Sequence, residues 1–534
     1  MNFDNIVIGS GPTGAVLVNQ LLKYNKKVAL IDIGNLIENK HLEIKKDFLK
    51  YKSKERFLKS ISQNKILNTY KNPHIKFPFG SEFVYKTNPF ESFLSNDNLD
   101  FIISNAYGGL SNIWGTMVSP FFYNDIKNWD ISFEDFYRNK SEAEKIIPIS
   151  SSQDNLEDFF NINFGSHHKF NLSSTACSFL DNLNDKKDYL NKQGIFFGRS
   201  KLAVGNHYSY NKVECQECGL CHYGCPYDCM FNSSQLLEQI KFNKNFLYIS
   251  NKFAEKINYN KPLSDLECID INSKKKFLYS AKNIFICCGP ISTAALLFRS
   301  NLIRSDKIIF KESQRFFLPI FNKKNINNSI GQDKNTLSEI YLEIFNEKLL
   351  SKSIHLQYYT FIDIILKPLE KYFGRSVYLL PKMFPYIFGR INLIVGYLHS
   401  DYSSKIVMSR LSNVNQSEYQ YSLVSEKNIQ VKNNINKIIN FLKENLKKDF
   451  YIFNSLVNIN LTGASYHYGS SLPMSNPENN LKDQTNLNGE LSNFKNIFIL
   501  DSSILPDMPA HPTTFNVCIN VARIAENLNN SKII

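Results

Sequence analysis

Residues 1–34 read MNFDNIVIGSGPTGAVLVNQLLKYNKKVALIDIG. Phe3 to Ile8 is a short apolar run with strand character. Gly9, Gly11 and Gly14 follow in the spacing G-x-G-x-x-G. A helical stretch comes next, with Val16, Leu17, Leu21 and Leu22 available for its apolar face. Val28 to Ile31 is a second strand, closed by Asp32. The pieces have separate physical roles. Gly9 allows the tight turn, Gly11 lets backbone approach a pyrophosphate, and Gly14 lets helix pack on strand. Pro12 suits a first helical turn, where its missing N–H had no partner. The helix N-terminus then offers free N–H groups, including that of Thr13, and a positive dipole end to phosphates. Asp32 stands roughly twenty residues downstream, where an acid binds ribose hydroxyls. The order of strand, glycines, helix, strand and acid points to dinucleotide binding; the motif alone does not separate NAD from FAD.

Working outward, a chain of 534 residues is too long for one small core, so two or more structural units are expected. Hydrophobic residues make up 43% and charged residues 21%, as in ordinary soluble globular proteins. The net charge of +13 raises nucleic acid or an anionic membrane as partners. No basic helix or arm stands out, so nucleic acid is set aside and the charge is read as a solvated surface. No secretory leader precedes the first strand. No run of about 18 uninterrupted apolar residues exists, so no transmembrane segment is expected. The nearest candidate, Val377 to Leu398, is broken by Pro381, Lys382, Pro385 and Arg390; it reads as a buried strand pair, with a lipid-touching surface patch as the alternative. The expected location is the cytoplasm, with peripheral membrane contact left open.

Three further stretches carry chemistry. Asn105 to Gly115 (NAYGGLSNIWG) is a loop of small residues and backbone donors, in which Gly108, Gly109, Ser111, Asn112, Trp114 and Gly115 could run flat beside a ring system. From Cys215 the chain matches C-x2-C-x2-C-x3-C-P through Cys218, Cys221, Cys225 and Pro226. That is the spacing of a bacterial ferredoxin run. A lone [4Fe–4S] cluster on it would need Cys225 or Cys229 to fold back, or a remote ligand such as Cys177. Structural zinc fits less well, because zinc pairs are usually separated by a longer loop, and a compact cysteine-rich loop is the remaining reading. Asn232 and Gln235 then open a helix with capping-box spacing. The last eighty residues hold Gly463 to Gly469 (GASYHYG), a strand Asn496 to Leu500 ending at Asp501, the loop Pro506 to Thr514, and a helix from Phe515 to Leu528. Between 300 and 455, His355 to Ile364 and Ile391 to Met408 have strand spacing, and Ile429 to Leu446 has helical periodicity.

Taken together, these segments resemble the glucose–methanol–choline (GMC) oxidoreductase family, in the family's order; the cysteine run resembles a subgroup that includes long-chain alcohol oxidase-like proteins. The resemblance rests on the glycine motif with Asp32, on Gly108 to Gly115, on the stretch Ile284 to Leu297, and on His467-x-Gly469 with Asp501-x-Ser503 and His511-Pro512-Thr513. Three departures stand out. Cys287 and Cys288 occupy positions where small residues are usual, Ser470 stands where Thr is common, and Tyr466 rather than histidine lies three residues before Gly469. The resemblance implies an α/β fold, mixed α+β overall: a Rossmann-like FAD-binding domain with an inserted antiparallel β-sheet substrate-binding domain. The former would comprise 1–34, 101–120, 205–300 and 456–534. Regions 35–100 and 121–204 would be caps or connections, and 301–455 the substrate domain.

FAD is the implied cofactor, held by Gly9, Gly11, Pro12, Thr13, Gly14 and Asp32, by the loop Gly108 to Gly115, by Phe253, Cys288 and Gly289, and by Asp501, Ser502, Pro512 and Thr513. The implied reaction oxidises the CH–OH group of an alcohol or sugar-like donor. A hydride would pass to flavin N5, with His467 as base and His511 holding the substrate oxygen. A neutral imidazole suits proton abstraction near neutral pH. A [4Fe–4S] cluster, if present, would route electrons from reduced flavin to a partner and favour a dehydrogenase over an oxidase using O₂; the electron acceptor itself is left open among O₂, a quinone and a redox protein. The alternative is a flavin and iron–sulfur electron-transfer protein without its own alcohol substrate.

Overall fold

The computed structural model describes residues 1–62, 76–95, 98–162, 169–209, 212–324, 334, 336–411, 420–476 and 483–534. Its first sheet grows from the opening motif. Strand Asn2–Ile8 pairs in parallel with Val28–Ile31 on one side and with Lys276–Ile286 on the other. Phe246–Ile249 extends the parallel part beyond Val28–Ile31. Ile497–Ile499, from the far end of the chain, pairs in parallel with Ile284–Ile286. Ser264–Asp270 and Lys252–Asn258 add an antiparallel flap. Helix Pro12–Lys23 is buried along most of its length and packs against the terminal helix Thr513–Asn530. Strands covered on both faces are expected to be apolar throughout, as Val28–Ile31 is.

The second sheet is antiparallel, ordered Phe450–Ile452, Arg315–Asn322, Ile391–Leu398, Leu350–Thr360, Ile340–Asn346, Ile195–Arg199. Helices Val431–Leu446 and Ser174–Asn184 bury their apolar stripes against it. Its edge strand Ile195–Arg199 comes from the stretch read in sequence as connecting, and pairs residue by residue with Ile340–Ile344. A third, five-stranded sheet links the units and includes Lys307–Glu312 and the short strand Tyr468–Gly469.

Two sequence expectations change in detail. Ile391 to Met408 is two strands, Ile391–Leu398 and Lys405–Arg410, separated by a turn at Ser400–Tyr402. Val377 to Phe388 is no strand: Leu380–Met383 and Pro385–Phe388 are single helical turns, each with proline in its first turn. The prolines explain this, since their fixed φ suits a helix start and they lack the N–H a ladder needs.

Candidate active site

The glycine turn is built by close packing. A Cβ at Gly9 would lie 2.6 Å from the Cys287 carbonyl oxygen, and one at Gly14 would lie 1.9 Å from the Gly9 oxygen. Gly11 is different, because nothing lies within 4 Å of its Cβ position. It faces a long cleft, open to solvent, with a cavity volume of about 250 Å³. That cavity runs from Asp32 and Phe253, past Gly9 to Thr13 and Gly289, to His467, Ser502 and Thr513. Asp32 is half-buried and accepts a hydrogen bond from Ser10 Oγ; desolvation pushes its carboxyl up to about 7. Ser10 Oγ also accepts from the Gly108 N–H at 2.9 Å, tying the second loop to the first.

In that second loop, Gly109, Ser111 and Trp114 line the cavity. Gly108, Asn112 and Gly115 do not. Gly108 is turned at φ +91°, with Asn232 and Ser234 crowding its Cβ position. Asn112 holds the loop from behind, donating to the Tyr107 and Gly109 oxygens and accepting from Asn232 Nδ2 at 2.6 Å. Asn232 caps its own helix in a complete capping box with Gln235. Gly14 and Pro512 likewise shape the backbone without lining the cavity, whereas Cys288, Gly289, Asp501 and Ser502 line it. Asp501 accepts from Ser503 N–H at 2.8 Å and from Thr293 Oγ1 at 2.5 Å.

The cavity fits FAD. Gly11 and Gly289 leave it open at the phosphate end, since nothing lies near either Cβ position. Thr513 Oγ1 is buried in the lining without a partner, at the first turn of an 18-residue helix, where free N–H groups would favour a partly negative group of a bound cofactor.

His467 lies in the lining, in a loop that buried Glu312 holds. Glu312 accepts from Gly463 N–H at 2.8 Å and from Ser465 Oγ at 2.7 Å; Ser465 Oγ in turn accepts from His467 N–H at 3.1 Å. Tyr466 sits in this loop at φ +59°, a backbone position costly for a bulky residue. The His467 ring stacks on Tyr397, with centroids 5.0 Å apart and planes 19° apart. Its Nδ1 is buried without a partner, and burial holds its pKa down to about 3.

His511 is buried behind the cavity wall rather than in the lining. It ends a hydrogen-bonded chain. Tyr359 O–H donates to Gln357 Oε1 at 3.0 Å, so Gln357 Nε2 faces His355 Nε2, also at 3.0 Å. His355 Nε2 is therefore the acceptor, and its Nδ1–H donates to Glu343 Oε1 at 2.7 Å. Glu343 Oε2 meets His511 Nε2 at 3.1 Å, leaving His511 Nδ1 without a partner. Burial raises Glu343 to about 7 and lowers both histidines, so the group favours its neutral forms.

Glu343, His355 and Glu312 were not singled out in sequence. Glu343 and His355 are direct cross-strand partners, and His355 in turn faces Tyr397, which faces Arg315. The alternation of each strand carries the facing but not the register that makes the row.

Cys215, Cys218, Cys221 and Cys225 line a separate, small apolar cavity of about 20 Å³. Cys229 joins them and donates its N–H to Cys225 Sγ at 3.3 Å. Cys177 does not; it lies exposed on helix Ser174–Asn184. All ten cysteines are unpaired. Among the described residues, the only three metal-type ligands with atoms within 4.8 Å of one another are Glu343, His355 and His511. The thiols thus surround their cavity at wider spacing than one tetrahedral zinc imposes. A further cavity is walled by both Trp114 and Cys221, and half-buried Lys76 Nζ donates to the Trp114 oxygen at 3.0 Å. The cysteine loop and the second flavin loop are therefore neighbours.

Fold and cavity together suit a bound dinucleotide such as FAD. Residues 184–331 match the GMC oxidoreductase family. The whole chain superimposes on solved structures at low identity, a likeness of fold. Pyridoxine 4-oxidase from Mesorbium loti has a TM-score of 0.61 and 11% identity, over 99% of each chain. Formate oxidase from Aspergillus oryzae RIB40 has a TM-score of 0.60 and 10% identity, over 100% of this chain and 99% of that one. No curated protein matches in sequence. Over residues 184–331 the chain is thus similar to the GMC oxidoreductase family, and over its whole length it shares the fold of these two oxidases.

Proposed function

We propose that this chain oxidises the CH–OH group of an alcohol or sugar-like donor, with His467 as proton acceptor. The observation that carries it is the unpartnered, buried Nδ1 of His467 in the lining of the FAD cavity. Bound FAD supplies the hydride acceptor. His467 is neutral at working pH, the form that takes up the hydroxyl proton. Stacking on Tyr397 fixes its plane, and Glu312 fixes the loop that carries it. His511 backs the cavity wall and is assigned a positioning role, since it does not line the cavity. When Glu343 is protonated, its O–H donates to Nε2, which leaves the imidazole proton of His511 on Nδ1. His467→Ala should keep bound FAD and slow alcohol-driven bleaching of the flavin by about 10²–10⁴-fold. Unchanged bleaching removes His467 from the mechanism.

The cysteine cavity supports a second assignment. We assign Cys215, Cys218, Cys221 and Cys225 as ligands of a [4Fe–4S] cluster, on their ferredoxin-like spacing and their shared apolar cavity beside the Trp114 loop. Its chemistry would carry electrons outward to a quinone or redox protein, in competition with O₂. Anaerobically purified protein should hold about four irons per chain, and Cys221→Ser should lose them while keeping FAD. Flavin without iron in the wild type makes the cysteines structural. Unpaired cysteines favour a reducing compartment, so we place the reaction in the cytoplasm.

A further inference from the structure

Between the strands Leu350–Thr360 and Ile391–Leu398 the chain forms a cap of single helical turns and short helices. Eight of the exposed large apolar side chains among the described residues fall within 369–387. The most exposed are Tyr372 at 70%, Met383 at 65%, Phe373 at 60%, Tyr386 at 59%, Ile387 at 56% and Leu379 at 53%. Isolated exposed apolar groups are ordinary, but a contiguous cluster of this kind marks a surface that something covers.

The cluster has the chemistry of a lipid interface. Residues 363–390 contain five Lys or Arg and two Asp or Glu, within a chain of net charge +13. Aromatic and aliphatic side chains interspersed with Lys and Arg suit the boundary between headgroups and acyl chains. The elements are too short to span: no helix among the described residues is long and apolar enough to cross a membrane. They can only lie flat. The basic and aromatic surface also continues past the cap. Arg390 donates to the Asn322 and Lys323 oxygens, and Lys323 Nζ lies 4.8 Å from the centroid of the exposed Tyr451 ring.

The cap is anchored beside the catalytic end. Phe361, Leu366 and Val377 form its own small core. Ile362 then packs on the cluster of Tyr359, Tyr397 and Ala510, and Tyr397 is the ring on which His467 stacks.

We propose that residues 363–390 are a docking surface for an anionic lipid bilayer, seating the enzyme with the catalytic end of its cavity beside the membrane. The assignment is independent of which residue serves as base.

Flotation of FAD-loaded protein tests it, using vesicles of phosphatidylcholine with 30% phosphatidylglycerol against vesicles of phosphatidylcholine alone. The protein should float with the anionic vesicles and roughly tenfold less with neutral ones, and high salt should weaken binding. The triple variant Phe373→Ser, Met383→Ser, Ile387→Ser should lose flotation with its flavin spectrum unchanged. The single variant Lys382→Glu, at an exposed position, should weaken flotation without touching the apolar cluster. Wild-type protein that stays unfloated with anionic vesicles overturns the proposal, as does equal flotation with neutral vesicles. A concentration-dependent dimer that the triple variant abolishes, without vesicle binding, assigns the surface to a second copy of the chain instead.

Discussion

Glu343 is a single buried carboxyl with two imidazole partners, and its protonation decides what His511 can do. The His355 bond is fixed by the chain from Tyr359 through Gln357, so only the His511 side of the carboxyl is free to change. With its pKa pushed up to about 7, Glu343 is protonated below that pH and ionised above it. The ionised form accepts Nε2–H and leaves Nδ1 of His511 without a proton to donate. Activity that needs an Nδ1–H donor should therefore fall as pH rises through about 7. Glu343→Gln imitates the protonated acid, with its amide donating to Nε2, and should keep activity on the alkaline side and remove that limb of the kcat profile. Glu343→Ala, which strips two buried imidazoles of their shared carboxyl partner, should cost far more, on the order of 10²-fold in kcat. A pH profile shared by wild type and Glu343→Gln would free His511 from this dependence.

At the scale of elements, the second sheet meets the catalytic block through one row. Glu343, His355, Tyr397 and Arg315 stand side by side on four adjacent strands. Glu343 reaches His511, Tyr397 stacks on His467, and Arg315 Nη2 donates to the Ala464 oxygen at 2.7 Å. The end of the neighbouring strand Lys307–Glu312 holds the same loop through Glu312. Burial raises Glu312 from an ordinary 4.5 to about 7. A raised folded-state pKa contributes stability that is full below pH 4.5 and is lost as pH passes through 7. Glu312→Gln, which cannot ionise, should gain on the wild type in melting temperature as pH rises across that window. Glu312→Ala should lose about 1–3 kcal/mol by orphaning the Gly463 and Ser465 donors. This row was not legible in the sequence, because its members come from hairpins and crossovers whose register no local pattern specifies. The opening motif was legible, since Gly9, Gly14 and Asp32 act on neighbours close in the chain. The stretch Val377 to Leu398, which reads as a buried strand pair, is a strand only from Ile391; before it the apolar run has no helical period and its prolines restart the helix every few residues.

At the scale of the molecule, the FAD cavity draws on both ends of the chain. Its lining runs from Ile8 to Val517, and Ile497–Ile499 completes the sheet beside Ile284–Ile286. Helix Thr513–Asn530 is buried almost throughout and packs on the helix Pro12–Lys23. Removing residues 497–534 should therefore abolish FAD retention and leave an insoluble chain; a truncated protein that still purifies yellow would contradict this. The same arrangement constrains synthesis. The glycine turn emerges from the ribosome long before the strand and helix that close the pocket over it. Cofactor loading must wait for those segments, and until then the apolar strands of the opening motif need a chaperone's cover or a provisional partner.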